Sequence, residues 1–104
     1  MVESFGLTHI SLAVSDPQRL LDFYGQVFGV HEYFRDANQI LVQGPGPHDV
    51  LAFERQPDEA GACGGIQHFG FRLKRRARAN SVPVLPYAYA ADPDGYEVEI
   101  WYEP

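Results

Sequence analysis

A short segment occurs twice in this 104-residue sequence, and it limits the fold more than any other feature. Residues 6–12 (GLTHISL) and residues 65–71 (GIQHFGF) match position by position in hydrophobic character, with Gly first and His fourth in both. Each segment alternates apolar with less apolar residues, as a strand with one buried face does. His9 and His68 therefore fall on the less apolar faces of equivalent strands. The repeat predicts two similar modules.

The first module is predicted to be β-α-β-β-β. A strand over residues 7–14 is followed by helix signals: Ser15 or Asp16 as N-cap, and Pro17 in the first turn, where its missing N–H costs nothing. Apolar residues then recur at helical spacing, and Gly29 stands where a C-terminal cap is expected. Short strands are predicted over residues 32–35, 39–43 and 50–54, and residues 56–65 are a plausible linker.

The second module is predicted to repeat this order with fewer residues. After the second repeat we expect a helix over residues 74–81, short strands over residues 82–85 and 87–90, and a last strand over residues 96–102. His9 and Ala52 are 43 positions apart, whereas His68 and Glu99 are only 31 positions apart. Two explanations remain open: a genuinely shortened module, or a sequence from which residues are missing near Lys74 and Leu85.

The turn Asp92-Pro93-Asp94-Gly95 sets the start of the last strand. Pro93 presets φ, Asp92 can bond the backbone, and Gly95 closes the turn. Side chains should then alternate. One face holds Tyr96, Val98, Ile100 and Tyr102, and the other holds Glu97, Glu99, Trp101 and Glu103. A carboxylate on such a strand needs water, a cation or a metal.

The composition excludes some classes of function. Eight basic against 14 acidic residues give a net charge of −6, which disfavours binding to nucleic acid. Cys63 is the only cysteine, so an intrachain disulfide and a thiolate metal cluster are excluded. No apolar run approaches the roughly 20 residues of a membrane span. We therefore expect a soluble, unexported protein in the reducing cytoplasm, with no membrane partner.

His9, His68 and Glu99 together suggest a metal site. Two imidazoles and one carboxylate form the facial triad that suits Fe(II), Mn(II) or Zn(II) and leaves open positions for substrate. Taken singly, each His could be a satisfied polar residue and Glu99 a surface carboxylate. The repeat favours the metal interpretation, although spacing alone does not show that the three side chains converge.

The chain resembles the vicinal oxygen chelate superfamily, which includes glyoxalase I, extradiol dioxygenases, fosfomycin-resistance proteins and bleomycin-binding proteins. The matching motifs are residues 7–10 (LTHI), Phe23-Tyr24 with Phe28-Gly29, residues 67–71 (QHFGF) and residues 92–99 (DPDGYEVE). The resemblance implies an α+β fold, in which paired β-α-β-β-β modules form a cupped, mostly antiparallel sheet with helices outside. It implies a single domain over residues 1–104, with modules at about 5–55 and 65–103, and a homodimer.

The resemblance also implies the site. His9, His68 and Glu99 match the family's ligands for a divalent metal, which would be Fe, Mn, Ni or Zn. Ala52 aligns with the fourth position, which holds a Glu in proteins that resemble glyoxalase I. A two-residue shift would make Glu54 a fourth ligand.

Several further residues are weaker candidates for the site. Tyr89 and His48 are weak catalytic candidates. Tyr87, Tyr96 and Trp101 could line the pocket with Tyr89, although aromatic residues on strands are more often core or dimer contacts.

The expected function is that of a small metal-dependent enzyme whose substrate chelates the metal through vicinal oxygens. A dioxygenase-like reaction is favoured because Ala52 would leave three protein ligands. A glyoxalase I-like lyase is the alternative if Glu54 is a ligand. A metal-free, drug-sequestering protein of the bleomycin-resistance type is the alternative from another class.

Overall fold

The computed structural model describes residues 1–74, 78–79, 82–83 and 87–102. The chain divides into two compact units, Met1–Ala60 and Gly61–Pro104. The boundary between them falls inside the polar segment that the sequence indicates as a linker.

The first unit is a four-stranded sheet with one α-helix. Its elements are β1 (His9–Val14), α1 (Pro17–Phe28), β2 (His31–Arg35), β3 (Gln39–Gln43), β4 (Val50–Arg55) and a 3₁₀ helix (Pro57–Glu59). The strand order is β1-β4-β3-β2. β1 runs parallel to β4, and the other neighbours are antiparallel. The predicted β-α-β-β-β order is confirmed.

Helix α1 begins and ends at the predicted caps. Asp16 rather than Ser15 is the N-cap, and its side chain accepts a hydrogen bond from the Gln18 N–H. Gly29 adopts a left-handed conformation (φ 72°), and its N–H bonds to the Gly25 carbonyl. The buried face includes Tyr24, whose ring stacks on Phe53 of β4 at 5.3 Å between centroids. This apolar contact packs the helix against the sheet.

The second unit contains a three-stranded sheet and a short strand pair. Its elements are β5 (Phe69–Leu73), β6 (Arg78–Ala79), β7 (Val82–Pro83), β8 (Tyr87–Ala91) and β9 (Glu97–Tyr102). The sheet order is β5-β9-β8, with β5 parallel and β8 antiparallel to β9. The parallel pair β5/β9 repeats the pair β1/β4 of the first unit. The α+β class is confirmed.

The predicted helix over residues 74–81 is wrong at Arg78 and Ala79, which form β6 and pair with β7. The segment is short and lacks an apolar stripe, so a helix there would have had little to bury. Lys74, where the helix was predicted to begin, lies in a bend. Residues 75–77 and 80–81 of that prediction lie outside the described residues, as do residues 84–85 of the next predicted strand. Within the described part of the chain, α1 is the only α-helix.

The turn before β9 is built as predicted. Asp92 is buried (5% exposed), and its Oδ1 accepts hydrogen bonds from the N–H groups of Asp94 and Tyr96. Gly95 closes the turn with a φ of +90°. Tyr96 and Val98 are buried, whereas Glu97 and Trp101 are exposed. The strand therefore has the predicted alternation. In the described residues, no helix is long and apolar enough to cross a membrane.

Replacing Asp92 should destabilise the protein because it leaves two backbone donors without their acceptor. We expect Asp92→Ala to lower the free energy of unfolding by about 1–3 kcal/mol. Asp92→Asn keeps an oxygen acceptor and should cost less. Urea unfolding measures the difference, with the exposed Asp58→Ala as the control. A similar loss in Asp92→Ala and Asp58→Ala would contradict this role.

Ionisation of Tyr96 should lower the stability of the protein at alkaline pH. Burial raises the pKa of the Tyr96 hydroxyl, while a backbone hydrogen bond from Gly61 lowers it less. A tyrosine in the unfolded chain titrates near pH 10. Above about pH 9 the unfolded state therefore loses the Tyr96 hydroxyl proton before the folded state does, so the free energy of unfolding falls as pH rises. The wild type should therefore lose more stability than Tyr96→Phe between about pH 8 and 11. Urea unfolding of both proteins at the two pH values tests this, and parallel losses would contradict it.

Candidate functional site

His68 and Glu99 lie side by side in the second unit. His68 immediately precedes β5, and Glu99 pairs with Gly70 across the parallel β5/β9 ladder. The Nε2 of His68 is 3.8 Å from the Oε1 of Glu99, and the side chains are 29% and 18% exposed. This distance is too long for a hydrogen bond. Two ligands that each lie about 2.1 Å from one ion are at most about 4.2 Å apart, so the pair fits a shared metal.

Tyr89 completes this cluster from the third strand. It pairs with Glu99 across β8 and β9, and its ring meets the His68 imidazole edge to face at 5.2 Å and 82°. Such packing favours one orientation of the imidazole. Tyr89 is 47% exposed, so one side of its ring faces solvent. The structure thus brings together three of the residues that the sequence singled out.

His9 lies in the first unit, at the start of β1. Its side chain is exposed, and its Nδ1 is hydrogen-bonded to the Thr8 hydroxyl at 2.6 Å. Among the described residues, this is the only hydrogen bond of the imidazole. The Nε2 atom is therefore the nitrogen through which His9 could bind a ligand.

The register of the two parallel strand pairs places Ala52 where the second unit has Glu99. Ser11 pairs with Ala52 in the first unit, and Gly70 pairs with Glu99 in the second. His9 stands two residues before Ser11, just as His68 stands two residues before Gly70. Ala52 is buried (4% exposed) and has no side-chain donor atom.

Glu54 lies two residues beyond Ala52, and its side chain is hydrogen-bonded to that of Ser11. The Ser11 hydroxyl donates to the Glu54 Oε2 at 2.5 Å, across the β1/β4 pair. Alternation along β1 places Ser11 on the same face as His9, but only the side-chain positions in the structure show that Ser11 reaches Glu54. This pair is the contact that reasoning from sequence missed.

The remaining candidate residues differ in their exposure and in their position in the fold. His48 is exposed in the loop between β3 and β4, and its side chain has no hydrogen bond to the described residues. Tyr96 was wrong as a pocket residue, because it is 7% exposed and lies on the opposite face of its strand from Glu99. Trp101 is 40% exposed and shares the face of Glu99. The side chain of Tyr87 lies outside the described part of the structure. Neither unit by itself contains, in its described residues, a group of three or more His, Cys, Asp or Glu residues that could hold a metal ion.

The Ser11–Glu54 hydrogen bond should appear as coupling in a double-mutant cycle. We expect Ser11→Ala and Glu54→Ala to be coupled by about 0.5–1.5 kcal/mol of unfolding free energy, so that the double variant loses less stability than the sum of the two single variants. Ser11→Ala combined with the exposed Glu59→Ala is the matched control and should be additive. Additivity of Ser11→Ala with Glu54→Ala in urea unfolding would show that the bond contributes nothing.

Comparison with known proteins identifies a family and a fold. The family model of the Glyoxalase/Bleomycin resistance protein/Dioxygenase superfamily matches residues 6–78. TnmS3, an antibiotic binding protein from Streptomyces sp. CB03234, has a TM-score of 0.71 at 16% identity over 100% of both chains. A lactoylglutathione lyase from Agrobacterium tumefaciens has a TM-score of 0.64 at 18% identity, over 96% of this chain and 95% of its own. The oxidase ChaP-H2 has a TM-score of 0.65 at 16% identity, over 98% and 96%. No curated protein sequence matches the chain.

Proposed function

We propose a metal-dependent function for this chain, which belongs to the Glyoxalase/Bleomycin resistance protein/Dioxygenase superfamily. His68, Glu99 and His9 would hold a divalent metal, and the substrate would be a small molecule with two adjacent oxygens. The observation that carries the proposal is the 3.8 Å separation of His68 and Glu99. In the described residues, neither side chain has a hydrogen-bond partner, so both retain lone pairs for a cation.

The donor set fits Fe, Mn, Ni or Zn, since imidazole nitrogen and carboxylate oxygen are ligands that these ions share. When bound, the metal would act as a Lewis acid and as a template for the two substrate oxygens. The Glu99 carboxylate supplies the negative charge that attracts the cation. Tyr89 would hold the orientation of the His68 ring through their edge-to-face contact.

Three protein ligands favour dioxygenase-like chemistry over a glyoxalase I-like lyase. Ala52 occupies the position of a fourth protein ligand, and its methyl side chain cannot bind a metal. Glu54 lies two residues beyond that position, and its Oε2 already accepts a hydrogen bond from Ser11. Tyr89 is a better candidate than His48 for moving a proton, because it lies against His68 while His48 lies in an exposed loop.

A metal-free binding protein is the second candidate. Two observations favour it: neither unit contains a three-ligand cluster of its own in its described residues, and the fold is shared with the antibiotic binding protein TnmS3. In that case the cluster of His68, Tyr89 and Glu99 would contact the bound molecule directly.

Metal analysis separates these functions. Protein purified without added metal should contain near-stoichiometric Fe, Mn, Ni or Zn. His68→Ala and Glu99→Gln should each weaken Mn²⁺ or Zn²⁺ binding by at least about tenfold in calorimetry, because each removes one ligand. The exposed His31→Ala is the control and should bind as the wild type does. Absence of metal in the wild type, with no Mn²⁺ or Zn²⁺ uptake, would favour the binding protein.

Glu54→Gln tests whether there is a fourth ligand. With Ala52 at the fourth position, this variant should keep metal affinity within about threefold of the wild type. A loss as large as that of Glu99→Gln would indicate four ligands and a lyase.

The quaternary structure and location belong to the same proposal. We expect a homodimer, which sedimentation of the purified protein would detect. A reducing cytoplasm suits a chain whose single cysteine, Cys63, is exposed and free.

A further inference from the structure

Strand β2 is an open edge of the first unit's sheet. The strand order β1-β4-β3-β2 leaves β2 hydrogen-bonded to β3 on one side, and no strand of the described chain pairs with its other side. All five residues of β2, His31–Arg35, are exposed. An open edge carries unpaired backbone N–H and C=O groups that another strand can bind. Two aromatic rings add apolar surface, since Tyr33 is 51% and Phe34 is 47% exposed.

A β-bulge determines which charged side chains of β2 share a face. The register with β3 shifts after Glu32, so Tyr33 is an extra residue in the ladder. On a regular strand, residues three apart point to opposite faces. The bulge instead places Glu32 and Arg35 on one face, opposite Val42 and Ile40 of β3. The two side chains form an ion pair, with 2.6 Å between the Arg35 Nη2 and the Glu32 Oε1.

Both members of this ion pair have an atom left for a second partner. Arg35 donates from Nε and Nη2 to the Glu32 Oε1, and from Nη2 to the Gln18 side chain. Among the described residues, the Arg35 Nη1 and the Glu32 Oε2 have no hydrogen-bond partner. A guanidinium presents five N–H donors, and a carboxylate accepts at both of its oxygens. The edge therefore carries an unused cationic donor and an unused anionic acceptor.

A two-fold axis makes this edge complementary to itself. When two copies of β2 pair antiparallel about the midpoint between Glu32 and Arg35, each Glu32 lies opposite Arg35 of the other copy. Two cross-strand ion pairs form in this way, and Tyr33 and Phe34 of both copies lie between them. Opposite charges across a strand pair stabilise it, and like charges destabilise it. A strand with another order of charges would lack one or both ion pairs, so the edge favours a second copy.

We propose that β2 is the dimerisation edge of this protein and pairs antiparallel with β2 of a second copy. The two four-stranded sheets then form one eight-stranded sheet across the two-fold axis. Each Arg35 donates from Nη1 to the Glu32 Oε2 of the other copy. The inference rests on the homodimer of the proposed function and assigns its interface. Because a five-residue edge makes a small interface, we expect a dissociation constant of about 1–100 μM.

Charge-reversal variants test the pairing. Glu32→Arg leaves only basic side chains at the two positions, and Arg35→Glu leaves only acidic ones. In sedimentation equilibrium, each single variant should dimerise at least about tenfold more weakly than the wild type, because like charges then face each other. The double variant Glu32→Arg/Arg35→Glu restores opposite charges and should dimerise within about threefold of the wild type.

Mixing the two single variants separates pairing between copies from stability within one copy. Each single variant has lost the ion pair within its own strand. An equimolar mixture should nevertheless form a heterodimer, because every basic side chain of one variant then faces an acidic side chain of the other. Native mass spectrometry distinguishes this heterodimer from both homodimers by mass. A defect confined to one copy cannot be rescued by mixing.

A neutral substitution tests the aromatic contact. Phe34→Ser should weaken the dimer at least about tenfold, because it removes a ring from each side of the interface. Val27→Ser is the matched control, since it removes a 51% exposed apolar side chain from α1, and it should leave the dimer unchanged. Thermal unfolding of every variant checks the fold.

Three results would overturn the proposal: a wild type that stays monomeric at about 1 mM, charge-reversal variants that dimerise as the wild type does, or a mixture without heterodimer. Metal uptake is measured on the same samples. Dimerisation through β2 in protein that takes up no metal would support this inference and contradict the metal-dependent function. Normal metal uptake without pairing of β2 would reject this inference alone.

Discussion

The hydrogen bonds of the buried Asp92 carboxylate fix the position of Glu99. The Oδ1 atom of Asp92 accepts hydrogen bonds from the Asp94 and Tyr96 N–H groups, and so it fixes the residue at which the chain leaves the turn and enters β9. Because side chains alternate along a strand, a slip of one residue would place Val98 or Ile100 beside Gly70. The core and the candidate ligand are therefore set by the same turn: Val98 is fully buried, while Glu99 stays partly exposed beside His68.

The same parallel strand pairing in the two units supports different chemistry. In the second unit, Gly70 and Glu99 form a pair with one carboxylate and no obstructing side chain. In the first unit, the equivalent pair is Ser11 and Ala52, and the nearest carboxylate, Glu54, is held by the Ser11 hydroxyl. Glu54 also stands two residues beyond Ala52, the position that corresponds to Glu99 in the register. The backbone repeat therefore does not imply a repeat of ligands.

Local signals in the sequence were sufficient for much of this fold. Asp16 and Gly29 cap the two ends of α1 as predicted, and the turn at Asp92 leads into β9 as predicted. Each of these features depends on only a few neighbouring residues, so the sequence pattern was enough to find it. The helix predicted over residues 74–81 failed at Arg78 and Ala79, where pairing with β7 prevailed over a weak helical preference. The Ser11–Glu54 bond could not be read from spacing, since its residues are 43 positions apart and meet only through the β1/β4 register. For the same reason, alternation placed Arg72 on the same face of its strand as His68, but its position opposite Trp101 required the β5/β9 register.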